Sequence, residues 1–301
     1  MQGITSLRTT FNPINSSGTL GYRAAQTLYG RKNKWAYTVS GSADYIGLQR
    51  DGDGTPLGQT DGLSNTYQYN AFLKLGYTID SSSNLAAVYN FYRSNQHNRY
   101  ISKTGIYGQT PTIGVKGEDP GEPAGTPYNH NAMVTYTKND LFASTSLVAS
   151  AYYNTFRSMN RYVEKASAWY GPGQTQINSE KKGLRINLNT PFQVFGSNAD
   201  VTYGLDLLND VTDQNLTDGR VYIPYMNMFN LAPYAQLKID FLENLIFKGG
   251  VRYENATVKI KDFNTIATGP NNEGSIAVKG GKIPYKGATF NAGLRYNKYS
   301  L

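Results

Sequence analysis

A chain of 301 residues with 29 Lys+Arg against 21 Asp+Glu, a formal charge of +8, 25 Tyr and no Cys excludes several classes at once. Without Cys there is no disulfide scaffold, thiolate metal site or thiol nucleophile, and only His97 and His130 remain as imidazoles. No apolar run approaches the roughly 18 residues of a helical membrane span, but a membrane β-barrel hides its hydrophobicity by alternation and stays open.

In chain order, the first apolar segment falls near 18–30 and is an ambiguous strand. Lys34–Gly47 is a clear one, setting Trp35, Tyr37, Val39, Ala43 and Tyr45 against Thr38, Ser40, Ser42 and Asp44. Asn65–Asp80 is the strongest. Its odd positions read Tyr67, Tyr69, Ala71, Leu73, Leu75, Tyr77, Ile79, and its even positions Thr66, Gln68, Asn70, Phe72, Lys74, Gly76, Thr78. Ambiguous strands follow near 84–93 and 131–137, then a weaker alternation at Leu141–Tyr153 and another ambiguous strand near 183–188. Val201–Leu207, Pro233–Phe241 and Leu245–Tyr253 alternate weakly. Gly287–Lys298 closes the series with Ala288, Phe290, Ala292, Leu294 and Tyr296 on one face and Thr289, Asn291, Arg295 and Asn297 on the other. The count is about eleven strands. The best helical candidate, Asn160–Ala168, carries only a weak signal.

The connections alternate as well. Gly30–Lys34, Asp80–Asn84, Lys138–Asp140 and Phe241–Asn244 are short, and Asn189–Asp200, with Pro191 and Gly196, is intermediate. Long polar stretches occupy 48–64, 94–130, 157–180, 210–230 and 261–286. Structureless loops of that length are uncommon in soluble domains, whereas outer-membrane barrels place tight turns on the periplasmic side and long loops outside. The apolar face of Asn65–Asp80 has Tyr at both ends and Ala and Leu between. Tyr67 to Tyr77 is ten steps, and at about 3.3 Å per residue and a tilt near 45° that spans roughly 23 Å, close to the apolar band of such a barrel. The opposite faces carry Asp44, Lys74, Asp206, Lys238, Arg252 and Arg295, as a hydrated lumen requires. The fold class expected is all-β: an antiparallel up-and-down transmembrane β-barrel, partial, occupying residues 1–301.

Tyr69–Asp80 (YNAFLKLGYTID), Tyr203–Gln214 (YGLDLLNDVTDQ), Gly219–Gln236 (GRVYIPYMNMFNLAPYAQ), Gly249–Asn255 with Asp262-Phe263 (GGVRYEN, DF) and Phe290–Asn297 (FNAGLRYN) resemble the barrel domain of TonB-dependent outer-membrane receptors for ferric siderophores. The resemblance implies a Gram-negative outer-membrane location, a ferric siderophore as ligand, and coupling to the TonB complex through an N-terminal region. It also implies a plug and a barrel of about 22 strands. The chain opens on Met1-Gln2-Gly3 with no basic or apolar leader pattern, so the expectation is an internal barrel fragment without plug or remaining strands. Iron would arrive held by its chelator, leaving the protein with no cofactor of its own.

The residues offer little to catalysis. Asp51/Asp53 and Glu118/Asp119/Glu122 sit in Gly- and Pro-rich loops, and Asp51-Gly-Asp-Gly lacks the further ligands of a calcium loop. No catalytic or metal site is expected. Lys and Arg are dispersed without a compact basic stripe, which argues against nucleic acid. Rim and lumen cations can pair with lipopolysaccharide phosphates and acidic groups of other segments, or, with aromatics, attract an anionic chelate. By residue type and loop position the ligand candidates are Arg99, Tyr100, Arg157, Arg161, Tyr162, Trp169, Tyr170, Arg220, Tyr222 and Tyr225. Arg forks onto carboxylate or hydroxamate oxygens, and Tyr and Trp add stacking surface and donors. The alternatives are an importer of another solute (an oligosaccharide or cobalamin), a passive porin, and a soluble β-sheet enzyme or adhesin.

Overall fold

The computed structural model describes residues 1–58, 64–97, 99–118, 120–163, 172–242, 244–267 and 274–296. Five strands open the chain: β1 (Gln2–Thr10), β2 (Gly21–Lys32), β3 (Trp35–Ile46), β4 (Thr66–Thr78) and β5 (Ser83–Gln96). A small loop hairpin, β6 (Tyr100–Lys103) and β7 (Ile113–Lys116), comes next. Then follow β8 (Ala124–Lys138), β9 (Ser146–Met159), β10 (Thr175–Val194), β11 (Ser197–Leu216), β12 (Val221–Leu242) and β13 (Leu245–Ile260). A two-residue pair, β14 (Phe263–Asn264) and β15 (Ala277–Val278), lies in the last loop before β16 (Gly281–Tyr296). Leaving out the two loop pairs, twelve strands form one antiparallel meander in chain order, with no helix among the described residues.

The sheet therefore holds twelve strands where the alternation suggested about eleven. The additional one is β1, whose two large apolar residues, Ile4 and Leu7, fall on opposite faces and so leave no period of two to read. The expected intermediate connection 189–200 is a two-residue turn, Phe195-Gly196, with φ of 50° and 78° at its two positions. Both being positive makes this the hairpin turn whose twist matches the flanking strands. The expected long loop 210–230 is strand as well. Backbone pairing continues to Leu216 and resumes at Val221, around a turn at 217–220. Residues 141–145, expected as strand, form the β8–β9 turn, with Asp140, Ala143 and Ser144 at positive φ. Residues 160–163 are not helical, and the rest of the helical candidate, 164–168, lies outside the described residues.

Register assigns the two faces. Leu73 pairs Val39 and Tyr89, Leu184 pairs Ala151 and Leu207, and Val251 pairs Ala235 and Phe290, so one face is apolar across the whole sheet. Among the described residues no second layer covers it, since each strand of the meander packs against its sheet neighbours. Val39, Val134 and Val251, all on interior strands, remain 45%, 47% and 51% exposed. At about 25 cal/mol per Å² of apolar surface, leaving such a face in water would cancel the stability of the sheet, so this face meets hydrocarbon. Its aromatic borders are in contact along each edge. Trp35 lies 4.6 Å from Tyr77 at the short-turn end, and Tyr45 lies 5.4 Å from Tyr22 and 4.6 Å from Tyr67 at the loop end. The buried residues, by contrast, are mostly polar and collect at the loop rim: Ser64, Asn65, Thr66, Gln96, Gln174 and Thr175.

Candidate functional site

That buried polar rim shapes a cavity. The amide Nε2 of Gln96 donates to the Ser64 carbonyl at 2.9 Å, and the His97 N–H donates to the Asn65 carbonyl at 2.9 Å. These bonds fix His97, whose ring stands edge-on to Tyr67 at 5.9 Å. Arg99 follows, its carbonyl accepting from the Gly117 N–H at the base of the β6–β7 hairpin. The chain returns to β8 through Pro120–Ala124, and Gln174, 1% exposed, clamps it. Its Oε1 accepts from the Glu122 N–H at 2.9 Å, while Nε2 donates to the carbonyls of Glu122 (2.6 Å) and Asn160 (2.9 Å). One side chain thus ties the loop ahead of β8 to the loop after β9. Gly121 has φ +88°, and a Cβ there would stand 2.6 Å from Gln174 Oε1, so only glycine admits the clamp. The half-open cavity is about 500 Å³ and is lined by Tyr67, His97, Arg99, Glu118, Glu122, Arg161 and Tyr162, among others.

Three of the ten candidates, Arg99, Arg161 and Tyr162, meet in this cavity. Tyr100 begins β6 beside it, paired with Lys116. Arg157 lies in β9, not in a loop, and faces the lipid side. Its Nε donates to Asn178 Oδ1 at 2.8 Å, and its guanidinium covers the Tyr128 ring at 5.7 Å. Arg220 sits in the β11–β12 turn, where its Nη2 donates to the Pro172 carbonyl (2.6 Å) and pairs with Asp218 (2.7 Å). That pairing holds the Asp218 carboxyl below the usual aspartate range. Tyr222 and Tyr225 belong to β12, the latter with Lys261 Nζ 4.0 Å above its ring. Trp169 and Tyr170 lie outside the described residues, as does Asp119. Asp51 closes an ordinary turn, its Oδ1 accepting from the N–H groups of Asp53 and Thr55.

A second cluster occupies the polar face of the sheet. Asp206 is held between Arg185 Nε (2.7 Å) and Arg252 Nη1 (2.6 Å), and Arg252 also pairs with Glu254, which accepts from Asn230. Arg185, Asp206, Arg252 and Tyr234 line a groove of about 430 Å³ with Asn187, Thr289 and Asn291. The same face carries the pairs Arg23–Asp44, Lys181–Asp210 and Lys238–Asp240. Desolvating so many charges against lipid would be prohibitive, so this face borders water.

A single-layer, twelve-strand meander with one hydrocarbon face, one hydrated face, tight turns at one end and a polar cavity among the loops at the other matches a known family. The family model for TonB-dependent receptor-like β-barrels matches residues 3–301. The chain belongs to the TonB-dependent receptor β-barrel family. The receptor barrel is thereby placed in the outer membrane of a Gram-negative bacterium, and the groove around Asp206 faces the barrel lumen. Solved structures of similar fold include the siderophore receptor PiuA from Acinetobacter baumannii (TM-score 0.70, 12% identity, 99% of this chain and 47% of that one). The copper transporter OprC (0.68, 11%, 99% and 42%) and the ferric citrate transporter FecA in its unliganded form (0.65, 15%, 98% and 41%) are also similar. The chain thus spans less than half the length of these neighbours.

Sequence reasoning missed the residues that build the cavity. Gln174 follows Gly-Pro-Gly in a loop and carries no pattern of its own, and Ser64 and Gln96 fell within the stretches 48–64 and 94–130 that read as long polar loops. Only the register of β4, β5 and β8 brings Gln96 onto Ser64.

Proposed function

We propose that the protein is the barrel portion of a TonB-coupled importer that takes up a ferric siderophore, with the loop-end cavity contributing to capture. What supports the reading is the meeting of Arg99, Arg161, Tyr162, Tyr67 and His97 in one cavity at the loop end of a barrel of this family. Two guanidiniums supply forked donors for anionic chelate oxygens, and the aromatic rings supply stacking surface. Glu118 and Glu122 line the same cavity, so it discriminates by charge placement as well as sign. A bare soft metal ion is a poorer fit, because the chain has no Cys and two His, whereas a chelate brings its own ligands to the iron. The TonB complex and the siderophore enter here as proposed partners.

The test is growth of cells expressing the full-length receptor on iron–siderophore complexes as sole iron source, with and without a working TonB system. Growth that depends on both supports the reading. Uptake unaffected by loss of TonB would point to a passive porin. TonB-dependent uptake of copper, cobalamin or an oligosaccharide, with no siderophore used, would reassign the substrate.

A further inference from the structure

The loop-end cavity carries both signs of charge and keeps them apart. Arg99 and Arg161 bring two guanidiniums and Glu118 and Glu122 two carboxylates, so the charges of the described lining cancel. A site shaped only for a polyanion would not include two groups that repel it. Among the described residues, Arg99, Glu118 and Glu122 take part in no ion pair. Distance along the fold is not the reason. The Gly117 N–H donates to the Arg99 carbonyl at 3.2 Å, and Glu118 is the next residue. The polar face of the sheet behaves in the opposite way, since there Arg185 and Arg252 close on Asp206, and Lys181 closes on Asp210.

Backbone bonds maintain the separation. Gln174 takes both the N–H and the carbonyl of Glu122, which fixes that residue on one wall, while the Gly117–Arg99 bond fixes the other. Aromatic rings accompany the carboxylates. Tyr162 lies against Gly121, beside Glu122: a Cβ at Gly121 would stand 3.4 Å from Tyr162 Cδ2. Tyr67 meets the His97 ring edge-on at 5.9 Å in the same cavity. Carboxylates next to ring faces are the chemistry that holds an ammonium group, because the ring quadrupole adds to the attraction of the carboxylate. Guanidinium forks hold oxyanions. Opposite charges fixed apart therefore complement a ligand that carries both, and a volume of about 500 Å³ is in the range of small-molecule sites.

We propose that the chelate taken by this cavity is zwitterionic, bearing a free ammonium group besides its anionic oxygens. Glu118 and Glu122 receive the ammonium, and Arg99 holds an oxyanion. The inference rests on the reading of the cavity as a capture site and narrows its substrate class.

The test titrates the full-length receptor by fluorescence quenching with matched pairs of ferric chelates, one pair each with hydroxamate, catecholate and hydroxycarboxylate iron ligands. The members of a pair differ only in a terminal primary amine, free in one and acetylated in the other. The expected result is that, in a pair that binds, the free-amine member binds at least tenfold more tightly. Glu118→Gln/Glu122→Gln should lose at least tenfold for that member and bind the acetylated one more tightly, because two repelling charges are gone. Glu118→Asp/Glu122→Asp should keep the preference. Heat-modifiable gel migration confirms that each variant is folded, and the single Glu118→Gln and Glu122→Gln serve where the double is not. Equal or weaker binding of the free-amine member, or a Gln double that weakens both members alike, would overturn the proposal and leave capture standing. If no pair binds, or if Arg99→Gln leaves every Kd unchanged, capture by the cavity fails and the proposal fails with it.

Discussion

Gln174 is the side chain on which the loop cavity turns. Both ends of its amide are used, on Glu122 and Asn160, and it is buried. Gln174→Leu leaves three part-buried backbone groups, the Glu122 N–H and the carbonyls of Glu122 and Asn160, without these partners, and the loops before β8 and after β9 should separate so that water can reach them. On the proposed reading of this cavity as a capture site for a ferric chelate, the expected outcome is a Kd for that chelate at least tenfold higher, about 1.4 kcal/mol, with little change in the barrel's melting temperature. Titration of the full-length receptor by fluorescence quenching measures it, and an unchanged Kd would remove the cavity from the binding path. Asp218 makes a pH prediction. Its carboxyl is depressed chiefly by the Arg220 hydrogen bond, so the stabilisation is complete above the ordinary aspartate range and is lost as pH falls through the lower folded value. Amide exchange at Gly219 and Arg220 should accelerate below that value, and Asp218→Asn should show the fast exchange at every pH.

At the scale of the element, the strands make two separable statements, one about faces and one about turns. Leu73 is on the hydrocarbon face and Lys74 on the lumen face of β4. Leu73→Arg should cost about 2–4 kcal/mol near the bilayer midplane, and Lys74→Gln little. Urea unfolding of the full-length receptor in lipid vesicles compares them, and equal costs would undo the assignment of faces. The β10–β11 turn places Phe195, 99% exposed, at φ 50° beside Gly196. A bulky residue at positive φ is strained, and Asn-Gly is the favoured pair for this turn. Phe195→Asn should therefore stabilise the hairpin by roughly 0.5–1 kcal/mol in the same unfolding assay. The limits of sequence reading appear here as well. Phe195 hid a two-residue turn inside an apparent connection of 189–200, because the turn chemistry was not the usual one. The stretch 210–230 read as loop because its residues are polar. Backbone ladders do not require apolar side chains, so β11 and β12 continue beyond the apolar band through Asn209, Asp210, Asn227 and their neighbours.

For the molecule as a whole, two opposed solvents act on one layer. Single cysteines at 39, 134 and 251, carrying spin labels, should be relaxed by oxygen dissolved in lipid. Labels at 74 and 206 should respond instead to a water-soluble nickel chelate. Reversal of the two groups would invert the barrel.

Alternation in Asn65–Asp80 and in Gly287–Lys298 was enough to specify strands, their greasy face and the aromatic borders, because side chains of a strand point to opposite sides every other residue and hydrocarbon accepts only one of the two sets. Local order of that kind is written in neighbouring residues. The up-and-down order of the strands was also expected from the alternation of short and long connections, and what the tertiary structure alone decided is the offset at which neighbouring strands pair. Register sets Asp206 beside Arg185 and Lys259 opposite Lys282, and puts Arg252 within reach of that same Asp206, while the folding of the loops brings Glu122 to Gln174. These partners are 21 to 52 residues apart in the chain where they hydrogen-bond. Their pairing depends on hydrogen-bond offsets between strands and on loop closure, and neither leaves a trace in the spacing of apolar residues.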